Sequence, residues 1–122
     1  MANEPRSVQN RTLTIDPPAI ADGVATLVCH GGIIAETSIL FTSQVKKLAG
    51  EVQYIQSDLS DVEYVDSRGL GDVVAAYLSA RSAGCHLSLI NVHPRVKDLL
   101  NMTRLSSVFD QRNAQSSESR RS

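Results

Sequence analysis

Several residue types are scarce in this chain of 122 residues, and their scarcity limits how the chain can fold and what it can bind. Tryptophan is absent and aromatic residues make up 4%, so a core must be built from Val, Ile, Leu and Ala. The formal net charge is −1, which leaves no broad basic surface for nucleic acid or an anionic membrane. No apolar run approaches the roughly 20 residues of a membrane-spanning helix, and residues 1–11 lack the apolar segment of a secretory signal.

Cysteine is also rare, and its placement indicates a buried and unreactive role. Cys29 and Cys85 share no metal-binding or redox spacing. Both lie in or beside predicted strands, where a free cysteine usually behaves as a small hydrophobic residue. We therefore predict a reduced, cytoplasmic protein that does not insert into a membrane.

Hydrophobic residues make up 42% of the chain, enough for the single core of one domain. Alternating or continuous apolar runs predict strands at residues 12–15, 24–30, 52–59, 87–91 and 108–109. Caps and apolar periodicity predict helices from Thr37 or Ser38 to about Ala49, from Asp66 or Ser67 towards Gly84, and from Pro94 onward. Gly31-Gly32 is expected to turn the chain. Strands that alternate with helices indicate an α/β fold with helices packed on the sheet.

The two ends of the chain are expected to lie outside this fold. Residues 1–10 are polar and expected to be loose, and residues 111–122 contain no apolar residue except Ala114. A segment that cannot bury apolar surface does not compensate the entropy of ordering, so we expect a disordered tail. The predicted organisation is a flexible segment at 1–10, one domain at 11–110 and a polar tail at 111–122.

The most informative stretch leads from the third predicted strand into the second predicted helix. The apolar face of this helix is formed by Leu70, Val73, Val74, Tyr77 and Leu78, at the spacing of a 3.6-residue period. Asp66 and Ser67 are both good N-cap residues, so Ser67 can be read simply as a cap. A helix N-terminus also favours anions. A phosphate on Ser67 would add roughly −1.5 to −2 charges beside Asp66, with Asp61, Glu63 and Asp72 close in sequence, and would act as a switch.

The run Asp58-Leu-Ser-Asp-Val-Glu-Tyr-Val-Asp-Ser-Arg-Gly-Leu-Gly closely resembles the central signature of the STAS domain, as found in bacterial anti-sigma factor antagonists. The resemblance continues through residues 80–100, which include the pattern Asn-x-x-Pro-x-Val-x-x-Leu-Leu, and then through Thr103-Arg-Leu and Val108-Phe109. It covers about residues 11–110. It implies a STAS-like single domain, with a mixed, mostly parallel sheet of four or five strands and about three helices packed mainly on one face.

The resemblance also implies a binding module and not an enzyme. Such antagonists dock onto an anti-sigma factor that is itself a serine kinase of the GHKL type, and docking frees the sigma factor. The kinase then phosphorylates the serine of the motif, which corresponds to Ser67, and a phosphoserine phosphatase resets the cycle. Within the motif, Asp66 is the acceptor's neighbour, Gly69 permits close approach of a partner backbone, and Leu70 anchors the helix. ATP and Mg²⁺ would belong to the kinase, so this chain needs no cofactor.

Two positions depart from the family pattern, and both lie near the implied partner surface. Ile34 stands where family members often have an aspartate, and Arg68 follows the acceptor where a small residue is usual. The Arg68 guanidinium has two candidate partners, a phosphate on Ser67 or the carboxylate of Asp72 at i+4. The implied partner-binding residues are Glu63, Asp66, Arg68, Gly69, Leu70, Asp72 and Ile34.

Other functions remain open at this point. A STAS domain can instead be a scaffold or regulatory subunit in a stress-sensing or transporter complex, without phosphorylation. An enzyme or nucleotide-binding protein is a third reading, but His30, His86 and His93 form no ligand pair at helical spacing and no evident base for Ser67. The carboxylates of Asp58, Asp61, Glu63 and Asp66 suggest Mg²⁺ less well than a solvated acidic loop. We therefore predict no catalytic and no metal site.

Overall fold

The computed structural model describes residues 12–105 and residue 109. Within these residues, strands and helices alternate after an initial pair of short strands. The strands are β1 (Leu13–Ile15), β2 (Ala19–Ala21), β3 (Val24–Ile33), β4 (Tyr54–Val65) and β5 (His86–Ile90). The helices are α1 (Ser38–Ala49), α2 (Ser67–Ser82) and α3 (Pro94–Met102).

The strands form one mixed sheet in the order β1-β3-β4-β5, with β2 also paired to β3. β3 pairs with β4 and β4 with β5 in parallel, while β1 and β2 run antiparallel to β3. The crossover helices α1 and α2 connect the parallel strands, as parallel pairing requires. The predicted fold class, a mixed and mostly parallel sheet with three helices, is confirmed.

The core lies between the sheet and the helices. Every second residue in the first part of β3 is fully buried, namely Ala25, Leu27 and Cys29. The residues between them are half-buried. The helices contribute mainly Phe41, Val45, Leu48, Val73, Ala76, Tyr77, Ala80, Val96 and Leu100. Of the two alternatives for α1, Phe41 is buried and Leu40 is half exposed. Leu78 was wrongly placed on the apolar face of α2: it is 52% exposed, because Ala76 and Ala80 complete the face that Tyr77 occupies.

Two short features at the start of the sheet differ from the sequence-based expectation. Strand β2 was not predicted, although Asp22-Gly23 is a strong hairpin signal: both residues have positive φ, 53° and 78°, and they join β2 to β3. Gly31-Gly32 does not turn the chain but continues β3. A Cβ on Gly31 would lie 2.2 Å from the carbonyl oxygen of Thr12, so glycine here permits the close approach of the chain at the start of β1.

Strand β4 runs six residues beyond its predicted end at Leu59, and it replaces the expected acidic loop. The β3–β4 register shifts between the pairs Val28–Asp58 and His30–Asp61, so Leu59 and Ser60 of β4 lie opposite the single residue Cys29 and form a bulge with one extra residue. The bulge lets both Leu59 and Val62 point into the core, where they are 1% and 0% exposed. A simple period of two cannot bury both side chains, which explains why the pattern was misread.

The predicted closing strand at residues 108–109 is not observed. Val108 lies outside the described residues, and Phe109 is helical in conformation. The Phe109 side chain is buried, with its ring centroid 5.4 Å from that of Tyr77 in an edge-to-face arrangement. The predictions for residues 1–10 and 111–122 also fall outside the described residues.

Candidate functional site

Ser67 is the first residue of α2, and the preceding residue, Asp66, caps the helix. The Asp66 backbone is extended, and its carboxylate accepts a hydrogen bond of 2.6 Å from the backbone N–H of Gly69. The second carboxylate oxygen of Asp66 accepts a bond of 3.2 Å from the N–H of Ala35, in the loop between β3 and α1. The reading of Ser67 as the cap is therefore wrong. Its side chain is exposed at the helix start, where it has no capping role.

The first turn of α2 sits directly against the end of β3. A Cβ added to Gly69 would lie 1.9 Å from the carbonyl oxygen of Ile33 and 2.6 Å from its carbonyl carbon. The same Ile33 oxygen accepts a 3.3 Å hydrogen bond from the N–H of Asp66. The close approach expected of Gly69 is thus made to the chain's own backbone. Leu70 is 8% exposed and anchors the helix in the core, as expected.

Arg68 points to Asp72, one turn further along α2. Its Nε atom lies 3.3 Å from Oδ2 of Asp72, and the same oxygen accepts a short hydrogen bond from the hydroxyl of Ser38 in the first turn of α1. Asp72 therefore links the starts of the two crossover helices, and it holds Arg68 in the unmodified protein. Since the Arg68 side chain is 70% exposed, this ion pair contributes little to stability and breaks easily.

The remaining predicted site residues divide into an exposed group and a buried group. Glu63 and Ser67 are exposed and Asp72 is 28% exposed, whereas Ile34 is buried, with 2% of its surface exposed. Ile39 of α1 is 64% exposed; it follows Ser38, whose hydroxyl bonds to Asp72, and it lines a cavity with Ala75 and Ala76 of α2. We define the Ser67 surface as Glu63, Ser67, Arg68, Asp72 and Ile39. Sequence analysis missed Ile39, because an apolar residue in an amphipathic helix is expected to be buried.

Comparison with known protein families shows the family to which this chain belongs. The family profile described as the STAS domain matches residues 18–119. The chain belongs to the STAS domain family. The resemblance seen in the Asp-Ser-x-Gly-Leu motif is therefore confirmed at the level of the family.

Among the similar proteins are anti-sigma factor antagonists, and the curated ones match this chain over part of their length. The chain is 34% identical over 61 residues to the anti-sigma-B factor antagonists of Listeria monocytogenes and Listeria innocua, a match that covers 50% of this chain and 54% of each relative. This STAS domain thus spans about half the length of the curated relatives it matches. Among solved structures, an anti-sigma factor antagonist from Mycobacterium paratuberculosis superimposes with a TM-score of 0.68 at 21% identity, over 80% of this chain and 82% of that one. The protein TM1081 superimposes with a TM-score of 0.68 at 27% identity, over 100% of both chains.

The histidines of this STAS domain lie in three separate places. His30 contacts Asp16 and Asp61 on the sheet, and the Nδ1 atom of His93 accepts a 3.1 Å bond from the N–H of Arg95 at the start of α3. His86 begins β5, at the N-terminal end of the parallel strands, whereas Ser67 follows the C-terminal end of β4. Among residues 12–105 and 109, no three His, Cys, Asp or Glu side chains are arranged to hold a metal ion, and no helix is long and apolar enough to cross a membrane.

The acidic group predicted around Asp58 is organised by hydrogen bonds. Asp58 accepts bonds from the N–H and hydroxyl of Ser60 and from the side-chain amide of Asn91. Burial works to raise the pKa of Asp58, but these three bonds and nearby His30 outweigh it and lower the pKa overall. The adjacent thiol of Cys29 has its pKa raised to about 12, first by burial and then by the negative charges of Asp58 and Asp16. Cys29 is therefore a protonated core residue and not a nucleophile.

Proposed function

We propose that this STAS domain is an anti-sigma factor antagonist whose partner binding is switched off by phosphorylation of Ser67. The observation that carries the proposal is the division of roles at the start of α2. Asp66 provides the cap, so the Ser67 hydroxyl stands exposed on the surface without a structural task. The names of the Listeria relatives support the same class of function.

A phosphate on Ser67 would meet a helix start that is already occupied by an anion. The N–H of Gly69, which would otherwise bind a phosphate oxygen, donates to the Asp66 carboxylate. The phosphate would therefore add roughly −1.5 to −2 charges directly beside a carboxylate that cannot leave without uncapping the helix. Asp72, whose carboxylate contacts Arg68, adds a further negative charge one turn along α2. A partner selected to bind the unmodified surface would meet both new charge and new volume.

The implied partner is an anti-sigma factor with GHKL-type serine kinase activity. In the reaction, the Ser67 oxygen bonds to the γ-phosphorus of ATP, the hydroxyl proton is lost and ADP leaves. A phosphoserine phosphatase then hydrolyses the phosphate ester with water, which restores the hydroxyl and releases inorganic phosphate. We assign direct contacts to the exposed side chains of the Ser67 surface, while Asp66, Gly69, Leu70 and Ile34 hold the surface in shape. ATP and Mg²⁺ stay with the kinase, and the exchange takes place in the cytoplasm, where sigma factors act.

The proposal is tested by capture from lysate of the source organism with Ser67→Ala and Ser67→Asp as baits. We expect Ser67→Ala to retain a GHKL-type kinase that Ser67→Asp loses. The matched control is Ser82→Asp, which adds the same charge at the other end of α2, about 22 Å away at 1.5 Å per residue, and it should retain the kinase. If both Ser67 baits retain the same set of non-kinase proteins, the scaffold function replaces the phosphorylation switch.

A further inference from the structure

His30 joins two separate parts of the sheet through both nitrogens of its ring. Its Nδ1 atom lies 2.7 Å from Oδ2 of Asp61, in β4 just after the bulge. Its Nε2 atom lies 3.2 Å from each carboxylate oxygen of Asp16, which follows β1. The imidazole thus ties the end of β1 to the second half of β4, across the strand β3 on which it stands.

This geometry fits the protonated ring. A neutral imidazole carries one N–H and can donate to only one of the two carboxylates, whereas an imidazolium donates to both. The hydrogen bond to Asp61, followed by the bond to Asp16, raises the pKa of His30 above its ordinary value. The Asp58 carboxylate of β4 is also near enough to interact with the charge of the ring, but its hydrogen bonds go to Ser60 and Asn91. Because Asp16 and Asp61 bind opposite nitrogens, they do not converge on a single metal ion.

The contact with Asp61 occurs where the pairing of β3 and β4 is least regular. The register shifts immediately before the pair His30–Asp61, and it shifts again between Gly31 and Gly32. Three residues after His30, at about 3.3 Å per residue along the strand, Ile33 pairs with Val65 and accepts the N–H of Asp66. The tie therefore lies about 10 Å along β3 from the backbone on which the first turn of α2 rests.

We propose that protonated His30 is a positioning residue that binds Asp16 and Asp61 together, and thereby holds the second half of β4 and the start of α2 against β3. Loss of the proton leaves one carboxylate without its donor and loosens this part of the sheet. The consequence for partner binding, a weaker complex at alkaline pH, rests on the proposed function of the Ser67 surface. The tie itself does not rest on that function, because it can be measured on the isolated protein.

The direction of the pH dependence follows from the raised pKa of His30. The folded state binds the proton more tightly than the unfolded chain, whose histidine has a pKa of about 6.5. The stabilisation by the tie is therefore fully present below that value, and it is lost as the pH rises through the raised pKa of the folded state. Histidine is the side chain whose ordinary pKa lies in this range, so we take the ring as the group that changes charge.

The first measurement is an NMR titration of the His30 ring together with amide hydrogen exchange of residues 62–70, corrected for the intrinsic pH dependence of exchange. We expect His30 to titrate above 6.5 in the wild type and closer to that value in Asp61→Asn. Exchange of residues 62–70 should accelerate by at least about threefold as His30 deprotonates, through more frequent local opening. His30→Gln should show the faster exchange at every pH.

Asp22→Asn is the matched control, because it removes one negative charge from the β2–β3 turn without touching the ring and keeps a residue suited to positive φ. It should leave both measurements unchanged. A His30 that titrates at or below 6.5, or exchange of residues 62–70 that is the same in wild type, His30→Gln and Asp61→Asn, would overturn the tie. Asp61→Asn decides the matter by itself if His30→Gln does not fold.

The second measurement separates the tie from the proposed function. The affinity of the captured kinase is measured below and above the titration of His30, for the wild type and for His30→Gln. Weaker binding at high pH in the wild type, with pH-independent weak binding in His30→Gln, supports the coupling. Equal affinity at both pH values, with exchange that behaves as expected, overturns the coupling and leaves the tie. If Ser67 baits bind no kinase, the proposed function fails, and the exchange data still decide whether the tie exists.

Discussion

Adding a single methyl group at Gly69 tests the contact between α2 and β3 on which the Ser67 surface is built. In Gly69→Ala, the new Cβ would lie 1.9 Å from the carbonyl oxygen of Ile33, whereas real Cβ contacts almost never fall below 3.0 Å. The helix start or the strand must therefore move by about 1 Å. The obstacle is backbone, so no side-chain rotation relieves it. The movement would also stretch the 3.3 Å bond between the Asp66 N–H and the Ile33 oxygen.

The expected loss of stability combines opposing effects. Overpacking costs about 1–3 kcal/mol, and a weakened backbone hydrogen bond costs about 0.5–1.5 kcal/mol. Alanine is better than glycine in a helix by at most about 1 kcal/mol. We expect Gly69→Ala to lower the free energy of unfolding by about 2 kcal/mol, and the Tm by about 8–16 °C at 4–8 °C per kcal/mol for a domain of this size.

Gly71→Ala is the matched control in the same helix. A Cβ at Gly71 meets nothing within 4 Å, so the helix preference acts alone, and we expect a gain of about 0.5–1 kcal/mol. Urea denaturation followed by circular dichroism measures both variants against the wild type. If Gly69→Ala unfolds at the same urea concentration as Gly71→Ala, the close approach of α2 to β3 is refuted.

Three further variants and one thiol reagent probe the helix cap and the core. Asp66→Ala should lose about 1–2 kcal/mol of unfolding free energy with the cap, while Ser67→Ala should change it by less than about 0.5 kcal/mol; the reverse order would restore Ser67 as the cap. The buried hydroxyl of Ser57 has no hydrogen-bond partner among the described residues, so Ser57→Ala should be neutral or about 1 kcal/mol more stable in urea, and a clear loss would reveal a missed partner. Burial raises the pKa of both thiols, that of Cys29 to about 12. Neither Cys29 nor Cys85 should therefore react with the thiol reagent DTNB at pH 8 until the protein is unfolded. Rapid reaction of the native protein would contradict their burial.

The parts of the fold that sequence predicts well depend on residues close together in the chain. Helix α2 begins and ends near the predicted positions because its apolar face, its acidic cap and the positive φ of Gly84 are all local signals. Pro94 opens α3 because its missing N–H is not needed there. Lys46 and Lys47 occupy the last turn of α1, ahead of Gly50, for similarly local reasons.

The features that escaped prediction depend on contacts between distant residues. Gly31 and Gly69 resemble glycines of a turn and of a partner contact, but each is required by a backbone elsewhere in the same chain, that of Thr12 or that of Ile33. The bulge in β4 follows from the need to bury two side chains that strict alternation would separate. Asp66 rather than Ser67 caps the helix partly because a carboxylate has two oxygens. One accepts the N–H of Gly69, and the other accepts the N–H of Ala35 from the loop between β3 and α1.

The candidate site shows the same division. The motif predicts a serine at the start of a helix, and Ser67 is the first residue of α2. The partner of Arg68 was left open between a phosphate and Asp72, and the unmodified protein shows Asp72, supported by Ser38 from α1. The exposure of Ile39 and the tie formed by His30 required the arrangement of neighbouring elements in space.

The most direct test of the phosphorylation switch is the affinity of the captured anti-sigma factor for two forms of this chain, unmodified and carrying phosphoserine at position 67. Isothermal titration calorimetry with the two purified forms measures the difference without relying on aspartate as a mimic. We predict that phosphorylation weakens binding at least about tenfold, which corresponds to about 1.4 kcal/mol. Equal affinities for the two forms would contradict the switch and leave Ser67 as an ordinary exposed residue at the start of α2.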